Sequence, residues 1–188
     1  MGSFNLDLPA ETIKRLGEYY SLLTRWNDRL HLVAPCSAEE FAVRHVLESL
    51  LLLQHLPPNA RVADIGSGGG LPIIPCIIAR PDLQATLIES SQKKAVFLRE
   101  ASNQLHLNAT ILARPFEQVE PPSVSFVTCR ALDQFIQKLP AIINWASDST
   151  LLLFGGETLR EELKKANVNF EAFLIPQSEK RFLYLATD

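Results

Sequence analysis

The fold assignment rests on one glycine-rich segment, Asp64-Ile65-Gly66-Ser67-Gly68-Gly69-Gly70-Leu71-Pro72. The apolar residues before it predict a short buried strand over 62–65, and those after it predict a helix over 71–80. Glycines in such a turn permit positive φ angles and let a ligand approach the backbone closely. In open α/β sheets, ligands bind at this position, beyond the carboxyl end of a strand. The segment therefore predicts an α/β fold with a ligand site at this turn.

Outward from the turn, strands and helices alternate along the chain. The pattern predicts strands over 84–89, 108–113, 124–129 and 150–154, and helices over 91–105, 132–146 and 158–166. Two more strands, 170–175 and 181–186, follow without a helix between them. Alternation indicates a parallel sheet with helices on both faces, and the final pair indicates an antiparallel edge. We therefore expect a doubly wound, mostly parallel seven-stranded α/β sheet with an antiparallel C-terminal edge.

The N-terminal part of the chain is predicted to be helical. Apolar residues recur there at spacings of three and four, namely Ile13, Leu16, Tyr20, Leu23 and Trp26. Ser37 and Glu40 have the spacing of a capping box at the start of a second helix. Pro57-Pro58-Asn59 then breaks the chain. We expect residues 1–58 to form a helical cap on one α/β domain of residues 59–188.

Composition limits the class of protein. The chain has 188 residues, of which 47% are hydrophobic and 21% are charged. This is enough apolar material for a sizeable core, and it excludes a wholly disordered chain. Eighteen basic and 21 acidic side chains give a net charge of −3. A uniformly basic nucleic-acid-binding protein is thereby excluded, although a local basic face remains open.

The cysteines and the apolar runs indicate a cytoplasmic protein that does not enter a membrane. Cys36, Cys76 and Cys129 are widely spaced and form no CxxC motif, so neither a disulfide framework nor a metal site is predicted. The longest apolar run, 71–79, is too short to span a bilayer. The N-terminus lacks the basic and apolar regions of a signal peptide.

The glycine turn does not match the two common phosphate-binding motifs. A dinucleotide fingerprint, G-x-G-x-x-G, would need a third glycine at Leu71 or Ile73, and a P-loop would need a GK[ST] ending. Instead, an acid and three glycines alternate as Asp64-x-Gly66-x-Gly68-x-Gly70. This pattern resembles motif I of the class I S-adenosylmethionine-dependent methyltransferases. In that class the glycines admit the amino-acid half of the cofactor, and the acid lies near its ammonium group.

Glu89 supports this interpretation. It lies at the end of the second predicted strand, 25 positions after Asp64. A carboxylate at that point can accept hydrogen bonds from both hydroxyls of a ribose.

Flanking residues narrow the resemblance to one family. The matching residues are Arg44-His45, the segment 64–75, Thr86-Leu87-Ile88-Glu89-Ser90, residues 93–98, Arg114-Pro115-Phe116-Glu117 and Arg130-Ala131. Together they are similar to the bacterial small-subunit ribosomal RNA methyltransferase G family, also called glucose-inhibited division protein B. The resemblance implies a class I, Rossmann-like methyltransferase domain and a monomer without a metal ion. It implies methyl transfer from S-adenosylmethionine to N7 of one guanosine in 16S rRNA, either free or in the 30S subunit.

The resemblance also implies roles for individual residues. Cofactor contacts are expected from Asp64, Gly66, Gly68, Gly70, Leu71, Glu89 and Ser90, with Pro115 and Phe116 at the adenine end. Arg130 matches an arginine at the junction of cofactor and substrate, where it would orient the guanine or a phosphate. RNA contacts are expected from Arg44, His45, Lys93 and Arg114. The chain departs from the family at His31-Leu32-Val33, where Asn-Leu-Thr is usual, and at Gly155, where lysine is usual.

Three other functions stay open at this point. The acidic balance and the missing lysine favour a class I methyltransferase of a small molecule or a protein. A non-catalytic module that keeps the cofactor fold is disfavoured by the intact Asp64, glycines and Glu89. Cytosine-C5 methyltransferases use a cysteine nucleophile, but Cys36 and Cys129 are in the wrong order along the chain. Guanine N7 carries a free lone pair, so the family reaction predicts no general base.

Overall fold

The computed structural model describes Phe4 and residues 6–187. Its centre is one seven-stranded sheet with the order β3-β2-β1-β4-β5-β7-β6. The strands are β1 (Arg61–Ile65), β2 (Gln84–Ile88), β3 (Ala109–Leu112), β4 (Phe126–Arg130), β5 (Thr150–Gly155), β6 (Asn169–Leu174) and β7 (Phe182–Thr187). All seven lie close to the strands predicted from the sequence.

The sheet topology confirms the predicted fold class. Strands β3, β2, β1, β4 and β5 pair in parallel, and β7 runs antiparallel to both β5 and β6. The antiparallel strand therefore lies one place in from the edge that β6 forms. The chain moves from β1 to β2 on one side and later to β4 on the other. The carboxyl ends of β1 and β4 thus flank the point where the strand order reverses, where ligands bind in this type of sheet.

Helices cover the sheet and connect its parallel strands. The helices are α1 (Ala10–Leu30), α2 (Ala38–Phe41), α3 (Glu48–Leu50), α4 (Ile73–Ala79), α5 (Gln92–Gln104), α6 (Phe135–Trp145) and α7 (Glu157–Lys165). A π turn (Ala42–Leu47) joins α2 to α3, and a 3-10 turn (Leu51–Gln54) follows. Residues 38–54 are therefore one continuous helical segment with a widened middle. The Ser37 hydroxyl accepts a hydrogen bond from the Glu40 amide at its start, as the capping-box spacing predicts.

Two helices begin later than their apolar patterns predict. α4 begins at Ile73 because the residues before it form the glycine turn. α6 begins at Phe135 because Ala131 and Gln134 have positive φ angles of 53° and 56°, which interrupt a helix. The residues that are predicted to be helical but belong to these two loops lie at the ends of β1 and β4, where they shape the site.

The N-terminal helix packs against α4 and α5 through a face that is rotated from the predicted one. Leu16, Tyr19, Leu22 and Leu23 are its buried residues, whereas Ile13 is 46% exposed. The apolar spacing alone did not distinguish Tyr19 from Tyr20. Tyr19 is preferred inside because its hydroxyl donates a hydrogen bond to the Gly69 carbonyl at 2.7 Å, which satisfies the only polar group of the side chain.

Candidate active site

A cavity of about 440 Å³ lies at the carboxyl ends of β1, β2 and β4. Its volume falls within the range of about 300–1,000 Å³ that is usual for small-molecule and cofactor sites. Seven residues predicted from the sequence line it together: Gly66, Gly68, Leu71, Glu89, Ser90, Arg130 and His45. The sequence positions of these residues span the helical cap and three strand ends, so the cavity is the place where the fold brings them together.

The glycine turn forms the floor of this cavity. Gly66 has a φ angle of +71°, which L side chains rarely adopt. A Cβ atom at Gly66 would also lie only 2.5 Å from Cδ1 of Leu132, which folds over the turn from the loop after β4. Gly70 faces the other way, toward the Ile74 side chain of α4, and does not line the cavity. The turn is thus shaped by packing on both sides.

Glu89 fastens the turn to the next strand. Its Oε2 accepts a hydrogen bond from the Gly68 amide at 2.8 Å, and its Oε1 accepts one from the Ser91 amide at 2.7 Å. The residue is only 6% exposed, yet it lines the cavity. A carboxylate has about four lone-pair sites. Each oxygen of Glu89 therefore keeps one site for a ligand hydroxyl.

Asp64 lies fully buried beneath the turn and does not line the cavity. Neither oxygen of its carboxyl group has a hydrogen-bond partner among the described residues, although the Ser67 hydroxyl donates to its main-chain carbonyl. Burial raises the pKa of Asp64 well above its usual value, and the negative charge of Glu89 acts in the same direction. A buried charge without a partner is costly, so the carboxyl group beneath the turn is favoured in its neutral form.

Arg130 enters the cavity from the end of β4 and is anchored on the helical segment 38–54. Its Nη2 donates to the Arg44 carbonyl at 2.7 Å and to Oε2 of Glu48 at 3.4 Å, and its Nη1 donates to the Ser49 hydroxyl at 3.5 Å. Its guanidinium also lies 5.5 Å from the centre of the Phe154 ring. Burial lowers the pKa of Arg130 while the Glu48 charge opposes that change, and an arginine keeps its charge under such shifts.

His45 lines the cavity beside Arg130 and lies in the π turn. Its buried Nδ1 has no hydrogen-bond partner among the described residues. Burial lowers the pKa of His45 to about 4, and the positive charges of Arg130 and Arg44 add to that shift. The imidazole is therefore neutral at neutral pH.

Besides Asp64 and Gly70, five of the predicted site residues lie outside the cavity lining. Arg44, Lys93 and Arg114 are exposed on the surface, and Pro115 is half-buried. Phe116 is buried in the core, where its ring meets that of Trp145 edge to face at 6.1 Å between centroids. The Phe116 ring therefore contributes to the core of the fold.

Several lining residues escaped the sequence analysis. Lys94 on α5 and Lys138 on α6 contribute positive charge, and Asp133 contributes negative charge. Nothing in the local sequence separates these side chains from ordinary surface charges. Leu32 and Val33 form a further wall. The sequence contains one indication that Leu32 and Val33 are special, because they belong to the segment that departs from the family pattern.

The wall at residues 31–33 is held by Asn27. The side chain of Asn27 donates to the Val33 carbonyl at 3.1 Å and accepts from the Val33 amide at 2.9 Å. His31, with a φ angle of 48°, ends α1 in the left-handed conformation and turns the chain toward the site. The departure from the family pattern therefore lies in a defined wall of the cavity.

Neither of the two cysteines considered as nucleophiles, Cys36 and Cys129, lines the cavity. Cys129 is fully buried, and Cys36 is half-buried outside the cavity lining. Among the described residues, no three or more His, Cys, Asp or Glu side chains are grouped to hold a metal ion. No helix in the described part of the chain has the length and hydrophobicity needed to cross a membrane.

Solved structures with a similar fold are methyltransferases. Magnesium protoporphyrin IX methyltransferase from Synechocystis PCC 6803, determined with bound S-adenosylmethionine, matches with a TM-score of 0.61 and 17% identity over 98% of this chain and 100% of that chain. An S-adenosylmethionine-dependent methyltransferase from Aquifex aeolicus matches with a TM-score of 0.62 and 12% identity over 89% of this chain and 98% of that chain. At these identities the similarity concerns the fold.

Relatives found by sequence similarity are closer to this chain than these solved structures are. The ribosomal RNA small subunit methyltransferase G of Sorangium cellulosum is 38% identical over 176 residues, which cover 89% of this chain and 74% of the relative. The enzyme of the same name from Methylobacillus flagellatus is 39% identical, over 84% of this chain and 78% of the relative. The family model for rRNA small subunit methyltransferase G matches residues 12–183. These matches confirm the family expected from the sequence: the chain belongs to the rRNA small subunit methyltransferase G family.

Proposed function

We propose that this protein transfers the methyl group of S-adenosylmethionine to N7 of a guanosine in the 16S rRNA of the small ribosomal subunit. The observation that carries the proposal is the meeting of Glu89, the glycine turn and Arg130 in one cavity of a chain that belongs to this family. The reaction would take place in the cytoplasm, on free 16S rRNA or on the 30S subunit, with the protein acting as a monomer.

The residues of the cavity fit the cofactor. Glu89 has free lone pairs on both carboxylate oxygens for a ribose. The orphaned carboxyl group of Asp64 beneath the turn supplies a partner for a cationic amino group, either directly or through the backbone of the turn. Gly66, Gly68 and Leu71 supply surface for the amino-acid half, and Ser90 lies beside Glu89. We place the adenine end near the loop of Pro115 and Phe116.

The reaction requires the protein to position the two reactants and does not require it to transfer a proton. When bound, S-adenosylmethionine supplies an electrophilic methyl group on its sulfonium sulfur. Guanine N7 has a free lone pair, so no side chain has to remove a proton before N7 attacks. Holding two reactants in line supplies much of the rate of such a reaction. With a pKa of about 4, the His45 imidazole would be a weak base, and the reaction at N7 does not require one.

Arg130 is the residue best placed to orient the guanine. Three of its five N–H groups are directed to the helical segment 38–54, which leaves two without an acceptor among the described residues. These two can donate to guanine O6 or to a phosphate oxygen, and neither contact occupies N7. The exposed Arg44, Lys93 and Arg114 would bind the RNA backbone around the target, together with His45 at the cavity.

The test is methyl transfer from labelled cofactor to 30S particles and to 16S rRNA that lack N7-methylguanosine, followed by mapping of the modified base. We expect one N7-methylguanosine in 16S rRNA. Arg130→Ala should lower the single-turnover rate at saturating RNA, whereas Glu161→Gln, a surface change on α7, should leave it unchanged. Cofactor binding without any labelling of RNA would contradict the proposal and direct the search to small-molecule or protein substrates.

The salt dependence of substrate binding also distinguishes an RNA methyltransferase from an enzyme that acts on a small molecule or a protein. An enzyme that binds the RNA backbone loses affinity steeply as the salt concentration rises, because it releases counterions from the phosphates. The net charge of −3 and the glycine at position 155 make this measurement informative, since the 18 basic residues are outnumbered by 21 acidic ones. A Michaelis constant for RNA that does not change with salt would contradict binding through Arg44, Lys93 and Arg114.

A further inference from the structure

Arg130 is held in place by the carboxylate of Glu48, which does not line the cavity. Glu48, on α3, is only 2% exposed. Its Oε2 accepts from Nη2 of Arg130 at 3.4 Å, and its Oε1 accepts from Nη1 of Arg181 in a short contact. Arg181 precedes β7, so the carboxylate joins the helical cap, the end of β4 and the C-terminal hairpin. One buried anion is thus shared between two guanidinium groups.

The π turn adds to this anchor. A π turn widens the helix, and such turns are frequent at functional sites. Here the Arg44 carbonyl accepts from Arg130, and the His45 carbonyl accepts from the Ser49 hydroxyl, which itself contacts Nη1 of Arg130. Three groups of one helical segment therefore determine the direction in which the Arg130 guanidinium points.

This cluster is poorly explained as a device for stability alone. Removing two charges from water costs several kcal/mol per ion, and buried ion pairs often stabilise a fold no better than apolar side chains of the same size. The Arg130 side chain is 16% exposed and lines the cavity, so its unused N–H groups remain accessible there. The arrangement fixes a charged donor at the mouth of the site, which is a geometric gain.

We propose that Glu48 is a positioning residue for the methyl-transfer reaction, because it fixes the Arg130 guanidinium in the orientation that receives the guanine. Arg181 holds the second oxygen of Glu48 and prevents the carboxylate from turning away from Arg130. The inference rests on the proposed function for the reaction that Arg130 serves, but the anchoring of Arg130 by Glu48 can be measured without any RNA.

The test compares Glu48→Gln and Glu48→Asp with the wild-type enzyme. Gln keeps the size but removes the charge, and Asp keeps the charge but withdraws it by one methylene. We expect the single-turnover rate at saturating cofactor and RNA to fall by about 10- to 100-fold in Glu48→Gln, as expected for a misplaced contact, and by less in Glu48→Asp. The dissociation constant for S-adenosylmethionine should change less than about twofold in both, since Glu48 lies outside the cavity lining.

A spectroscopic measurement separates positioning from general loss of structure. The side-chain ¹⁵N signals of Arg130, assigned with Arg130→Lys, should show restricted guanidinium rotation in the wild type and faster rotation in Glu48→Gln. The matched control is Glu161→Gln, which removes an exposed ion pair to Lys164 on α7 and should change neither rate nor spectrum. Glu48→Asp carries the same test if Glu48→Gln does not fold.

Wild-type rates in folded Glu48 variants, or Arg130 signals unaffected by them, would overturn the inference. A wild-type enzyme that methylates no RNA would instead contradict the proposed function. In that case, released Arg130 signals in Glu48→Gln would still support the anchoring.

Discussion

Replacing Glu89 with Gln tests whether the carboxylate at the end of β2 both shapes the turn and binds the cofactor. Glu89 accepts one backbone N–H from the glycine turn, at Gly68, and one from the start of α5, at Ser91. Gln keeps the shape but offers only one accepting oxygen. Its NH₂ group must face one of the two amides, where donor meets donor.

The structure gives the size of both effects. Leaving one buried N–H group without an acceptor costs about 1–3 kcal/mol, so the free energy of unfolding should fall by roughly that amount. Hydrogen bonds to a charged group contribute about 1.5–3 kcal/mol. If the ribose loses about 2 kcal/mol of this interaction, the dissociation constant for S-adenosylmethionine should rise by about 30-fold, since 1.4 kcal/mol corresponds to a factor of ten.

Urea unfolding and isothermal titration with S-adenosylmethionine would measure the two quantities separately. Glu100→Gln is the matched control, because Glu100 lies on α5 away from the cavity and accepts only from the Gln104 side chain. Lower stability with cofactor affinity unchanged within about twofold would show that Glu89 supports only the turn, and the ribose assignment would be refuted. No change in either quantity would contradict the hydrogen-bond geometry itself.

Three further changes test the surroundings of the turn. Gly66→Ala should lower the free energy of unfolding, measured with urea, by more than the roughly 1–2 kcal/mol cost of its left-handed backbone. Adding Leu132→Ala should restore the part that is due to the clash between the new Cβ atom and the Leu132 side chain. The pKa of His45 is about 4 in the folded protein, compared with the usual 6.5. The free energy of unfolding should therefore fall as pH drops from 6.5 to 4, and His45→Gln should reduce that fall. An equal fall in both proteins would contradict the lowered pKa. The raised pKa of Asp64 makes the free energy of unfolding fall as pH rises above about 3.8. Asp64→Asn should therefore lose less stability than the wild type as pH rises from that value, and an equal loss in both proteins would indicate a solvated carboxylate.

The fold class and a ligand site at the glycine turn could be predicted from patterns that are visible in the sequence. Short apolar runs alternate with amphipathic ones, and one turn contains three alternating glycines after Asp64. These features are local, so they can be recognised without knowledge of the contacts. The spacing from Asp64 to Glu89 is also informative, because it equals one turn, one helix and one strand.

What the sequence hides are contacts between distant residues. Glu48 is an ordinary acid in a helix, and its partners Arg130 and Arg181 lie 82 and 133 positions away. Lys94 and Lys138 resemble solvated charges until the helices are placed beside the cavity. The burial of Phe116 against Trp145 is a further contact between distant residues that its local sequence does not reveal.

The helical cap supplies part of the candidate site. The polar contacts that join it to the elements that carry the site include Tyr19 to the Gly69 carbonyl, Arg130 to the Arg44 carbonyl, and Arg181 to Glu48. The cap also supplies cavity walls at residues 32–34. A change in the cap that moves the segment 38–54 would therefore alter the orientation of Arg130 as well as the position of Arg44. If RNA binds at Arg44 and Arg130 orients the guanine, as proposed, the two steps would be coupled, because the same helical segment carries Arg44 and holds Arg130.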